Sequence, residues 1–104
     1  MDLREYRERI DEIDDALLRL FTERMDVSRE IALYKNERGL PVYDAAREAE
    51  KLGAINGKAR ADMRPYAAEL YRALSALSRA YQKSLTEAKY SNDVLEHTDG
   101  ADGA

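Results

Sequence analysis

The chain contains no cysteine and no tryptophan, and only one phenylalanine, one histidine and two prolines. Without cysteine there can be neither a disulfide framework nor a thiolate metal site. The one imidazole, His97, lies in a polar C-terminal stretch, where a lone histidine is ordinarily solvated. No apolar run approaches the ~20 residues that span a bilayer. The N-terminus, Met1-Asp2-Leu3-Arg4-Glu5, lacks the apolar core of a secretory signal. Basic charge is not in excess either: 17 Lys and Arg stand against 21 Asp and Glu, a net charge of −4, which disfavours a general nucleic-acid binder. The expectation is a cytoplasmic protein with no membrane or nucleic-acid partner.

What the chain has is helical periodicity. Its 104 residues suit one domain. Apolar side chains fall at Leu3, Tyr6, Ile10, Ile13, Leu17, Leu20, Val27, Ile31 and Tyr34, mostly in steps of three and four, the spacing of a helical seam. Asp2 caps the start, with Glu5 three residues on in capping-box register. Gly39 and Pro41 end the run. A first helix over residues 2–38 is therefore expected, more than ~50 Å long. A compact domain of this size is only about 26 Å across, so the seam needs a second chain to cover it.

A second helix is expected from about Tyr43 to Asn56, with Asp44 in its first turn and Gly57 as its stop. A third should begin near Asp62 as N-cap, tolerate Pro65 in its first turn, and carry the stripe Tyr66, Leu70, Leu74, Leu77, Tyr81. It is expected to fade after Leu85, leaving a polar, acidic remainder that reads as a frayed extension or linker. No strand pattern competes, so the fold class is all-α.

The informative residues are those that break the pattern. Arg24 occupies a seam position where an apolar side chain belongs, and a buried guanidinium is costly unless it meets an anion. A register-fixing ion pair is the structural explanation; an anionic ligand is the functional one. Lys35 lies nearly three whole turns further on, within about 20° of the same direction, with Ser28 and Ile31 between them. Alone it reads equally well as a lysine snorkelling at a helix end. Arg7 is a third cation beside the seam, ~25 Å from Arg24 along the axis; alone it reads as a surface residue. Ser78 and Gln82 share one face of the third helix, and Asp44 and Glu48 one face of the second, with Arg47 between. Each pair alone reads as a solvated helix face; together with the cations they suggest a cage for a small polyanion.

On these residues the chain resembles the all-helical chorismate mutase family. The matching elements are Leu3-Arg4-x-x-Arg7-x-x-Ile10-x-x-Ile13-Asp14-x-x-Leu17-Leu18, Glu23-Arg24, Lys35, Pro41-Val42-x-Asp44-x-x-Arg47-Glu48 and Ser78-x-x-x-Gln82. Each is weak alone; their joint order and spacing are specific. The resemblance implies three helices per chain in an intertwined six-helix homodimer, acting on chorismate without a cofactor. It further implies that Arg24 and an Arg7 supplied in trans grip the substrate carboxylates. Lys35 and Gln82 then hydrogen-bond the ether oxygen of the breaking bond. Glu48 holds the ring hydroxyl with help from backbone around Asp44, and Arg47 and Ser78 are further site positions. The domain is expected over residues 1–88, with 89–104 a tail or a linker to another domain.

The implied reaction is an intramolecular Claisen rearrangement to prephenate, which needs no nucleophile, base or metal. Two other readings remain open: an isochorismate-pyruvate lyase on the same fold, and a non-catalytic helical dimerisation or regulatory module. The last requires Arg24, Lys35 and Gln82 to pair with protein groups and leave no pocket.

Overall fold

The computed structural model describes residues 1–95, with side chains as far as Thr86. Those residues form three α-helices, α1 (Leu3–Glu37), α2 (Ala45–Lys58) and α3 (Arg64–Leu95), with a one-turn 3₁₀ helix at Ala61–Met63 leading into α3. No strand occurs among them.

The ends of α1 are set by local chemistry. Asp2 Oδ1 accepts a hydrogen bond from the Glu5 amide at 2.9 Å, satisfying one of the amides a helix start leaves unpaired. At the other end the Gly39 amide donates to Asn36 O at 3.3 Å and the Leu40 amide to Lys35 O at 2.9 Å. This pair of bonds is the Schellman closure, and it places Gly39 at a φ of 67°, where a side chain would be strained. Pro41 follows two residues after that turn and cannot resume the helix.

Several expectations about helix ends need correcting. Asp44 is the N-cap of α2, not a first-turn residue: its Oδ1 accepts from the Arg47 amide at 2.9 Å. Gly57 does not stop α2, which continues to Lys58 and closes with the Ala59 amide on Ile55 O. Asp62 does not cap α3; its carboxylate is taken by the guanidinium of Arg60 at 2.6 and 3.1 Å, and the chain reaches α3 through the 3₁₀ turn. Nor does α3 fade at Leu85. It runs to Leu95, because no glycine or proline interrupts the chain between Pro65 and Gly100 and polar residues alone do not end a helix. The expected boundary at residue 88 thus falls inside α3; residues 96–104 of the expected tail lie outside the described residues.

α3 packs against both α1 and α2, while α1 and α2 do not pack on each other. α1 runs parallel to α3: Arg24 meets Leu74 and Ser78, and one turn later Ser28 meets Ser78 and Gln82. α2 runs antiparallel, with Glu48 at the level of Arg79 and Leu52 at that of Tyr71 and Ser75. The crossing of α1 and α3 is built on small side chains, Ser28 and Ala32, the two buried residues among those described. Elsewhere the apolar seam is bare: Leu3, Tyr6, Ile10 and Leu17 are 55–61% exposed. The thinnest extent of the chain is 16 Å. With those side chains bare, no second layer of this chain covers the seam.

Candidate active site

The site begins at the α1–α3 crossing. Ser28 and Ser78 are small enough for the two backbones to approach, and Ser28 Oγ donates to Ser78 Oγ at 3.1 Å. One turn before Ser28, Arg24 turns its guanidinium across the same gap. Its Nη1 donates to Ser78 Oγ at 2.7 Å and more weakly to Leu74 O at 3.4 Å. One turn further along α3, Gln82 Nε2 donates to Ser28 O at 2.8 Å, which aims the amide at the same groove. Arg24, Ser28, Ser78 and Gln82 are therefore brought together as one hydrogen-bonded group.

Lys35 extends this strip at the C-terminal end of α1, where a cation suits the helix dipole. Its Nζ donates to Val42 O at 3.2 Å in the link to α2. Val42 and Gln82 line one open cleft of about 320 Å³, together with Tyr43, Arg79 and Thr86. Glu48 enters from α2. It is half-buried and forms a close ion pair with Arg79 of α3, whose guanidinium also lies 5.2 Å from the centroid of the Tyr43 ring. The hydrogen bond to Glu48 raises the Arg79 pKa further above its ordinary value, partial desolvation opposing it and the Glu48 charge adding to it.

The electrostatic character follows from what these cations touch. Among the described residues, neither Arg24 nor Lys35 is in an ion pair; both are engaged by neutral oxygens. Carbonyls and a hydroxyl accept some of their hydrogens but carry no charge to balance theirs. Arg79 and Lys83 line the cleft beside Gln82, while Glu48 lines the cleft on the other side of Arg79, so among the described residues the Gln82 cleft is walled by basic side chains and no carboxylate, in a chain of net charge −4. Such a groove, flanked by an amide donor, suits a small dianion. A non-catalytic module does require Arg24, Lys35 and Gln82 to bond protein groups, and they do. It also requires that no pocket remain, and a cleft stands open beside Gln82.

The other expected residues lie apart. Asp44 is occupied as the α2 cap, with its side chain on the Arg47 amide. The Arg47 guanidinium points outward to Glu50 on its own helix, in a largely exposed pair. Ile31 is 44% exposed on α1, uncovered by α3. Arg7 is exposed near the start of α1. The unbroken helix holds it ~25 Å from Arg24 along the axis.

Sequence reasoning missed Arg79. It stands beside Ser78 on the face of α3 that meets α2, and it lines the clefts on both sides of itself. The signal that could have found it was Glu48: a carboxylate turned into a bundle needs a counter-charge, and a search for that cation on the third helix would have reached Arg79.

Comparison with known proteins agrees with this geometry. The family model for chorismate mutase type II matches residues 6–83. A chorismate mutase from Methanocaldococcus jannaschii is 44% identical over 46 residues, 44% of this chain and 46% of that protein. A 3-dehydroquinate dehydratase from Pyrobaculum aerophilum is 41% identical over 46 residues, 44% of this chain and 15% of that protein. A T-protein from Enterobacter agglomerans is 37% identical over 60 residues, 58% of this chain and 16% of that protein. The chain spans less than half the length of each of these relatives. No solved structure matches it significantly. The family match covers well over half of the chain and takes in Arg7, Arg24, Lys35, Glu48, Ser78 and Gln82, and the protein belongs to the chorismate mutase type II family.

Proposed function

We propose that this chain rearranges chorismate to prephenate, as a homodimer in which the bare seams of two α1 helices cover one another in an intertwined six-helix body. The observation that supports this most is the state of Arg24 and Lys35, two cations on one face of α1 with neutral partners only among the described residues. A carboxylate in place of a neutral oxygen keeps the hydrogen bond and adds the attraction of a full opposite charge.

In this reading Arg24 and the partner subunit's Arg7 grip the two carboxylates of the substrate and hold it in its compact reactive shape. The ether C–O bond breaks ahead of C–C bond formation, so negative charge grows on the ether oxygen. Lys35 and Gln82 are donors held ready for that charge. Glu48 accepts from the ring hydroxyl, beside the backbone at Asp44. Ser78 orients Arg24, Ser28 anchors Gln82, and Ile31 borders the bound substrate, as Arg47 does once it turns from Glu50. A millionfold acceleration requires ~8 kcal/mol of transition-state stabilisation, and each well-aimed donor typically supplies about 3–4 kcal/mol. The chemistry asks for no metal or coenzyme, and a cytoplasmic location suits it.

The domain occupies residues 1–88 in this proposal, with 89–104 an extension or linker. Support comes from the family match ending at residue 83 and from relatives in which the matched region is 15% and 16% of a longer protein. The decisive experiment follows the loss of chorismate by ultraviolet absorbance and identifies the product. Prephenate supports the reading. Pyruvate released from isochorismate at a higher kcat/KM would favour the lyase, and no turnover of either would favour a non-catalytic module.

A further inference from the structure

A site for a dianion that contains a carboxylate has a built-in conflict. Glu48 offers the acceptor that a ring hydroxyl needs, yet its charge repels the substrate that carries that hydroxyl. The pair between α2 and α3 answers this. Arg79 Nη1 donates to Glu48 Oε1, and the two side chains retain only 40% and 29% exposure. Water therefore screens them incompletely. Arg79 is itself held, with its guanidinium over the Tyr43 ring at 5.2 Å, and it forms part of the same cleft wall as Gln82. It follows Ser78 directly and precedes Gln82 by three residues, so the helix that carries two proposed site residues also delivers the counter-charge of a third.

We propose that Arg79 is a positioning residue of the mutase site: it neutralises Glu48 and fixes its rotamer, leaving Oε2 directed to the substrate's ring hydroxyl while removing the repulsion of the dianion. This inference rests on the proposed mutase reading and on the role given there to Glu48. Arg79 acts through Glu48 and touches no reacting atom. Two other cations line the far side of the pair, Lys51 of α2 and Arg72 of α3, with Asp44 and Arg47 about one turn or less before Glu48. Among the described residues, no direct bond joins Lys51 or Arg72 to Glu48, so a diffuse positive field from them is the competing explanation.

The test is a set of variants in the full chain: Arg79→Met, Arg79→Lys, Glu48→Gln, the double variant Glu48→Gln with Arg79→Met, and Arg72→Met as a control for the general field. Folding is checked by circular dichroism and by oligomeric state. Arg79→Met is expected to raise the KM for chorismate at least tenfold while kcat falls less, because the neutralisation of Glu48 is lost and its repulsion of the substrate returns. Arg79→Lys should recover most of that KM, and Arg72→Met should leave it unchanged. In the Glu48→Gln background, where no charge remains to be neutralised, Arg79→Met should change KM less than threefold. An unchanged KM in Arg79→Met overturns the inference, as does an equal rise in both backgrounds or an equal rise in Arg72→Met. Should Arg79→Met fail to fold, Arg79→Lys and the double variant carry the comparison, and a double variant with a tenfold higher KM than Glu48→Gln overturns it. Wild-type turnover keeps the two proposals apart: an active wild type with an unresponsive Arg79 sinks this inference alone, whereas an inactive wild type sinks both.

Discussion

The sharpest consequence of the α1 geometry is that one chain cannot supply to one site both of the arginines proposed to grip the substrate. Arg7 and Arg24 stand on the same uninterrupted helix. Their positions on it are about 25 Å apart along the axis. A small dianion cannot bridge that distance. In the proposed antiparallel pair of α1 helices, each site would take Arg24 from one chain and Arg7 from the other. Removing one carboxylate clamp forfeits two charge-assisted hydrogen bonds. Even at about 3 kcal/mol in total, near the low end for such a pair, the loss is roughly 150-fold. Arg7→Ala and Arg24→Ala homodimers should therefore each retain under about 1% of wild-type activity. Unfolding and refolding an equal mixture reassorts the chains, and about half of the dimers become mixed. Each mixed dimer has one site with both arginines and one with neither. About a quarter of all sites are then intact, and activity should return to about that fraction of wild type, more than twenty times the parents. The assay is chorismate disappearance, with heterodimers verified by mass or by differential tags. Verified heterodimers without recovered activity would refute the shared site, since an Arg7 serving its own chain leaves one defect in every site.

Other outcomes follow from the same geometry. The exposed seam at Leu3, Tyr6, Ile10 and Leu17 predicts an obligate dimer whose melting midpoint rises with protein concentration; a monomer by sedimentation with a concentration-independent midpoint would contradict it. Gln82→Glu replaces a donor by a carboxylate that donates only when protonated, so its activity should climb as pH falls toward the ordinary Glu range near about 4.3, and a flat profile or one rising toward high pH would remove Gln82 from its assigned role. Gly39→Ala places a side chain at a φ of 67° with open space around it. Its cost is backbone strain alone, about 1 kcal/mol or roughly 5 °C in melting midpoint; Gly39→Asn should cost less, and equal stability of all three would mean the Schellman turn does not limit stability.

The order of residues was enough wherever the outcome depends on neighbours a few positions apart. Asp2 and Gly39 bound α1 through bonds that reach three to five residues, and the spacing of Leu3, Tyr6, Ile10, Ile13 and Leu17 states which face is apolar whatever it meets. The length of that face against the size of the domain is also what raises the expectation of a second chain, which the dimer prediction tests. Arg24 and Lys35 announced themselves by standing on a stripe where charge is costly. Where local signals conflicted the reading slipped: Asp62 looks like a cap, but Arg60 two residues earlier claims its carboxylate. Helix packing settled everything set by the register of one helix against another. Periodicity says that Ser78 and Gln82 share a face, but not that they meet Ser28 at a separation of 50 and 54 residues. It says that Asp44 and Glu48 share a face, but not that Arg79, 31 residues from Glu48, is the cation waiting there. A helical pattern fixes an angle about an axis. Where two axes cross, and at what height, is settled by small residues such as Ser28 and Ala32 that let the backbones close, and only that crossing decides which charges are answered and which are left for a ligand.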